Sequence, residues 1–184
     1  MTRVVRGGSS SARDEPREAV DLTDPTSSAE AIVWAGLDGL RAAVGVEIGP
    51  GDWLAIDQPR VDGFADDTLD HQWIHVDPER AAQGPYGGPV AHGFLTLSLI
   101  PYLINRLRRI EGARLGINYG LDKVRFPAPV VVGSRIRARC TLTSLEPVGD
   151  DGVQIVTHVE IEVEGSAKPA CVAHLVARYS FAAS

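Results

Sequence analysis

Val153-Gln154-Ile155-Val156-Thr157-His158-Val159-Glu160-Ile161-Glu162-Val163-Glu164 decides the fold class of this 184-residue chain. Val153, Ile155, Thr157, Val159, Ile161 and Val163 share one side, against Gln154, His158, Glu160, Glu162 and Glu164 on the other. A period of two with one apolar and one wetter face is the pattern of a strand in an antiparallel sheet. Asp151-Gly152 just before it is a tight-turn signal, which predicts a hairpin with the run before it. Working outward, 115–126, 134–145 and 169–181 read as three further long strands, and Pro127, Pro129 and Gly133 punctuate the approach to the second of them. Upstream the period changes. From 93 to about 109, Phe94, Leu97, Ile100, Leu103, Ile104 and Leu107 recur at helical spacing, and Leu95 and Leu99 make that helix apolar on more than one side. Such helices are wrapped by other structure. The expectation is an α+β domain whose curved antiparallel sheet closes around one central helix.

Toward the N-terminus the signals are shorter. Residues 1–27 are rich in Gly, Ser, Arg, Asp and Glu, and such a segment buries too little surface to offset its ordering entropy. It is expected to be a flexible arm, leaving 28–184 as a single domain. Ser28 reads as an N-cap for a helix carrying Ile32, Val33, Leu37, Leu40 and Val44, ended by Pro50-Gly51. A short strand at 53–56 follows, then Asp57 as the cap of a helix over 58–69 with Val61, Phe64 and Ala65 inward. Asp77-Pro78 starts another helix, since proline at the first helical position gives up only an orphan N–H. Residues 84–89, Gly-Pro-Tyr-Gly-Gly-Pro, form a loop.

Composition excludes several classes of function. A net charge of −6 argues against binding a phosphate backbone, which needs a basic face. No apolar run approaches the ~20 residues that span a bilayer, and no apolar core follows the first basic residues as in a secretory signal. Cys140 and Cys171 lack metal-ligand spacing and fall in strand-like runs as buried thiols. The expectation is a cytoplasmic protein without nucleic-acid or membrane partners. No phosphate loop, nucleotide-binding glycine motif or serine elbow occurs, so no cofactor is implied.

The chemistry concentrates in Asp70-His71-Gln72-Trp73-Ile74-His75, followed by Val76-Asp77-Pro78, and in Ala91-His92-Gly93 at the head of the apolar helix. A carboxylate and an imidazole five positions apart converge on one water if the chain turns between them. With a glycine amide at a helix start, that pair suits addition of water across a carbonyl-activated double bond. Asp70 to Pro78 resembles the signature of the MaoC-like, (R)-specific enoyl-CoA hydratase family. Gly88-Pro89-Val90-Ala91-His92-Gly93-Phe94 resembles that family's segment at the start of its central helix. Lys123 to Val130 resembles its first long strand and exit.

The resemblance covers about residues 30 to 181. It implies a hot-dog fold, normally a homodimer, acting on acyl thioesters of coenzyme A or acyl carrier protein in fatty-acid metabolism. Coenzyme A then enters only as part of the substrate. Asp70 and His75 become the catalytic pair, and the Gly93 N–H meets the thioester oxygen. His92, beside that glycine in the oxyanion and substrate-binding group, orients the loop by hydrogen bonding. The implied reaction is reversible hydration of trans-2-enoyl thioesters to (R)-3-hydroxyacyl thioesters. Which of Asp70 and His75 acts as base stays open at this level.

Two positions depart from the family pattern: Leu69 stands where glycine precedes the aspartate, and Pro101 where some relatives carry a serine. Proline there deprives the Leu97 carbonyl of its helical donor and predicts a bend. Asp66, Asp67, Asp70, His71 and His75 also invite a metal reading, set aside because the stretch runs straight into a helix start without a further ligand cluster. His158 and His174 read as structural, and Asn118, Tyr119 and Arg125 as packing residues or the lining of a thioester channel. The rival functions are a thioesterase and a non-catalytic acyl-binding subunit of the same fold.

Overall fold

The computed structural model describes residues 31–181, so the 1–27 arm and the Ser28 cap lie outside the described residues. β1 (Ile32–Ala35) comes first, then α1 (Gly36–Ala42). Ile32 and Val33 are thus extended and not helical. The consecutive Ile-Val-Trp favours a strand, Gly36 turns the chain at φ +59°, and only Leu37 and Leu40 of the expected set are helical. β2 (Glu47–Ile48) and β3 (Leu54–Ala55) are short. α2 (Gln58–Thr68) begins where expected, the Asp57 carboxylate accepting from the Arg60 N–H. α3 (Trp73–Val76) and α4 (Pro78–Ala82) follow, with Asp77 capping α4 through the Arg80 N–H.

The expected long central helix is two short ones, α5 (Gly93–Ser98) and α6 (Ile100–Asn105), joined at Leu99. The Leu99 N–H is shared between the Leu95 and Thr96 carbonyls at 3.2 and 3.3 Å, a tightened last turn. Pro101 follows in the first turn of α6, where its missing N–H breaks no helical bond. The bend anticipated at Pro101 is therefore an interruption two residues earlier. The helix also ends sooner than expected: Arg108–Glu111 is β4, paired in parallel with β1 from Ile32 opposite Arg108.

β5 (Ala113–Arg125), β6 (Arg135–Val148), β7 (Gly152–Val163) and β8 (Cys171–Phe181) match the four expected strands to within three residues at each end. They form an antiparallel sheet of order β2-β6-β7-β8-β5, with β3 also on β6. On β7, Val153, Ile155, Thr157, Val159, Ile161 and Val163 are all buried. The left-handed residue of the β6–β7 turn is Gly149 (φ +64°); Gly152 is required instead by packing, since a Cβ there would lie 2.7 Å from the Val148 carbonyl.

Ile100, Leu103 and Ile104 of α6 join Ile136, Leu142, Ile155, Val159, Ala173 and Leu175 of the sheet in one core. Each such valine, leucine or isoleucine contributes about 1.5–3 kcal/mol when fully buried. Cys140 and Cys171 are free thiols within it, pushed up to about 11 by burial, hence inert. On the outer face Glu162 pairs with Arg137 and Arg139, and Glu164 with Arg135. No helix among the described residues is long and apolar enough to cross a membrane.

Candidate active site

Asp70 lies on the turn between α2 and α3. Leu69 closes α2 at φ +61° and ψ +20°, in the left-handed region that glycine occupies without strain. Its own side chain is 82% exposed. His75 is the third residue of α3 and only 7% exposed.

Three hydrogen bonds fix the His75 segment. The His75 Nδ1–H donates to the Val90 carbonyl at 2.6 Å, and the Val90 N–H returns a bond to the Ile74 carbonyl at 2.9 Å. The Gln58 amide, in the first turn of α2, donates to the His75 carbonyl at 2.8 Å. A carbonyl only accepts, so Nδ1 carries the ring proton and Nε2 holds the lone pair. The His75 pKa lies below its ordinary value of 6.5. Burial is the main cause and the adjacent His92 adds to it, opposed by the Val90 bond and the Asp70 charge. A neutral imidazole with a bare Nε2 is equipped to take a proton.

His92, at the entry to α5, is buried beneath the same turn. Its Nε2 donates to the Asp70 main-chain carbonyl at 2.9 Å, and its ring stacks on His75 with centroids 3.7 Å apart and planes 25° apart. Phe64 of α2 packs against its edge at 5.1 Å. One donor atom each from Asp70, His75 and His92 lies within 4.8 Å of the other two. The sequence-predicted pair is therefore brought together, and His92 bonds to the aspartate turn instead of its own loop. Of the residues considered for a metal, Asp70 and His75 come together with His92 in a grouping that could also hold a cation, while His71 is exposed and paired with Asp66 at 2.9 Å.

Gly93 opens α5 next to His92. A Cβ there would meet the Phe126 ring at 3.0 Å, so the absent side chain lets that ring cover the helix start. Because α5 has only six residues, what its start offers is the N–H of Gly93 itself and not the end of a long helix dipole. Asn118, Tyr119 and Arg125 lie exposed on β5, with the Arg178 guanidinium 3.3 Å from the Tyr119 ring centre. His158 and His174 pair edge to face across β7 and β8, away from this site. Val90 and Gln58 went unnoticed in the sequence, since Val90 acts through its carbonyl and a helix-start glutamine is unremarkable.

Residues 40–164 match the family model of the MaoC like domain. The chain belongs to the MaoC-like dehydratase family. The 3-hydroxyacyl-thioester dehydratase Z of Mycobacterium tuberculosis is 56% identical over 140 residues, 76% of this chain and 93% of that protein. Among solved structures, the (R)-hydratase from A. caviae involved in PHA biosynthesis superposes with a TM-score of 0.55 at 25% identity, covering 73% of this chain and 94% of that one. The MaoC-like dehydratase from Rhodospirillum rubrum gives a TM-score of 0.64 at 18% identity over 77% of this chain and 95% of that one. The MaoC-like fold of curved sheet and central helical segment is the hot-dog fold expected from the sequence.

Proposed function

We propose that this MaoC-like chain is a hydro-lyase interconverting (R)-3-hydroxyacyl and trans-2-enoyl thioesters of coenzyme A or acyl carrier protein, in cytoplasmic fatty-acid metabolism. The observation that carries the reading is the convergence of Asp70 and His75 within 4.8 Å, with Gly93 one residue from the third member of the cluster. The name of the Mycobacterium tuberculosis relative supports the reaction class.

In the hydration direction, water sits between the Asp70 carboxylate and His75 Nε2. Its oxygen bonds to C3 as its proton passes to Nε2, and the C2–C3 π electrons move to the thioester oxygen. The Gly93 N–H donates to that enolate; losing one such donor costs roughly 3–4 kcal/mol in comparable sites. The enolate collapses as the imidazolium returns a proton to C2, and Asp70 steadies the transient positive charge. His75 is the base in this scheme because its Nδ1 proton is committed to Val90.

A homodimer completes the reading. Among the described residues β5 ends the sheet with its outer backbone edge unpaired, and Leu115, Ile117, Tyr119 and Leu121 are exposed along it. Phe94, beside Gly93, is 68% exposed. A long apolar edge of this kind is a pairing surface. A second copy placed there covers the helix start next to the dyad.

Crotonyl-CoA and a longer enoyl-CoA test the function. The expected result is loss of the enoyl absorbance without release of thiol, abolished by Asp70→Asn and by His75→Ala. Thiol release would instead mark a thioesterase, and silence in both readouts a binding subunit.

A further inference from the structure

One side chain touches both members of the dyad without being either. His92 donates from Nε2 to the Asp70 carbonyl at 2.9 Å and lies face to face with His75 at 3.7 Å, while its buried Nδ1 has no hydrogen-bond partner among the described residues. The bond to Asp70 falls one residue after Leu69, whose left-handed backbone costs a leucine roughly 1–2 kcal/mol. A turn under that strain keeps its shape only when neighbouring contacts over-determine it. His92 supplies such a contact from the far side of the site, 22 residues along the chain.

The bare Nδ1 is informative. A buried polar atom without a partner is destabilising, so a histidine retained there for packing alone is a poor choice; phenylalanine would fill the same slot. We propose that His92 is the positioning residue of the dyad: it clamps the Asp70 turn and supports the His75 ring. Among the described residues, the titratable groups that act on His75 are His92 and Asp70. α2 contributes the uncharged Phe64 ring and α3 the His75 ring.

The inference rests on the hydratase reading for its kinetic part, while one arm of the test needs no turnover. His92→Gln keeps a donor for the Asp70 carbonyl and removes the second imidazole; His92→Phe keeps the stacked ring and removes the donor. In both, the His75 ring followed by NMR against pH is expected to titrate higher than in the wild type, because the neighbouring imidazole that helps to lower it is gone. Both variants are expected to lower kcat, His92→Phe by about 10²-fold, the scale set by a misplaced catalytic group, with KM little changed and His92→Gln recovering part of the loss. An unshifted His75 titration in both variants would overturn the proposal, as would a loss confined to KM or a Gln variant no better than Phe. If His92→Phe does not fold, the Gln titration decides alone. An inactive wild type with a shifted His75 titration would overturn the hydratase reading and leave the clamp standing.

Discussion

His75 gives its Nδ1 proton to the Val90 carbonyl across 2.6 Å, which fixes the tautomer of the ring and leaves Nε2 as its only free base. Burial, helped by His92, holds the His75 pKa below 6.5. The base thus stays unprotonated below that pH, and the acid limb of kcat/KM is expected beneath 6.5. Stability follows with a definite sign. On acidification the unfolded chain takes up this proton before the folded one does, so the contribution is whole above 6.5 and is lost as pH falls through the folded value. Melting curves between about pH 7 and pH 5 should show a smaller acid loss for His75→Gln than for the wild type. An equal loss in both would show that this imidazole carries none of the acid sensitivity.

Gly93→Ala separates the amide from the packing that surrounds it. The N–H survives the substitution, but the new methyl group arrives 3.0 Å from the Phe126 ring. That ring must swing away, and the helix start shifts with it. The expected result is a fall in kcat of about tenfold, partly restored in the double variant Gly93→Ala/Phe126→Leu, where the shorter side chain yields. Equal kinetics for the single and double variants would place the damage elsewhere.

Leu69 ends α2 with a positive φ and an exposed side chain, so it carries strain without burying apolar surface in return. Replacing it by glycine removes a penalty of roughly 1–2 kcal/mol, offset in part by the greater freedom of glycine in the unfolded chain. Leu69→Gly is expected to raise Tm by about 2–4 °C. Scanning calorimetry of the two proteins checks it. A lowered Tm would mean that the leucine side chain is covered by something outside the described residues.

β6, β7 and β8 were legible because each buries one face, which imposes a period of two on the residues themselves, whereas β5 carries the same apolar alternation at Leu115, Ile117, Tyr119 and Leu121 on a face that is exposed. The dyad was legible for a different reason: Asp70, His75 and Gly93 belong to short motifs whose spacing survives in the sequence. The β1–β4 pair was not. Its partners lie far apart in the chain, and Arg108–Glu111 looks like the last turn of an apolar helix. Leu99 likewise continues a helical period, and only the backbone shows that the helix stops there. His92 stands in the recognised segment, but its bond to Asp70 depends on how two loops meet, which no local pattern encodes.

Ile117→Lys tests the exposed edge of β5. Isoleucine there lies opposite Arg178 of β8 and faces solvent on the strand that ends the sheet, where a second copy would add its own β5. A lysine on such an edge is a common natural deterrent to pairing. Light scattering on the wild type should give twice the 19.7 kDa of one chain, and the variant should fall to a single chain mass. Activity should fall with it, because Asp70 is exposed in the lone chain and Phe94 beside Gly93 loses its cover. The measurement that decides is activity and mass on one dilution series. A wild type that stays fully active as a single chain would leave β5 without a part in the reaction.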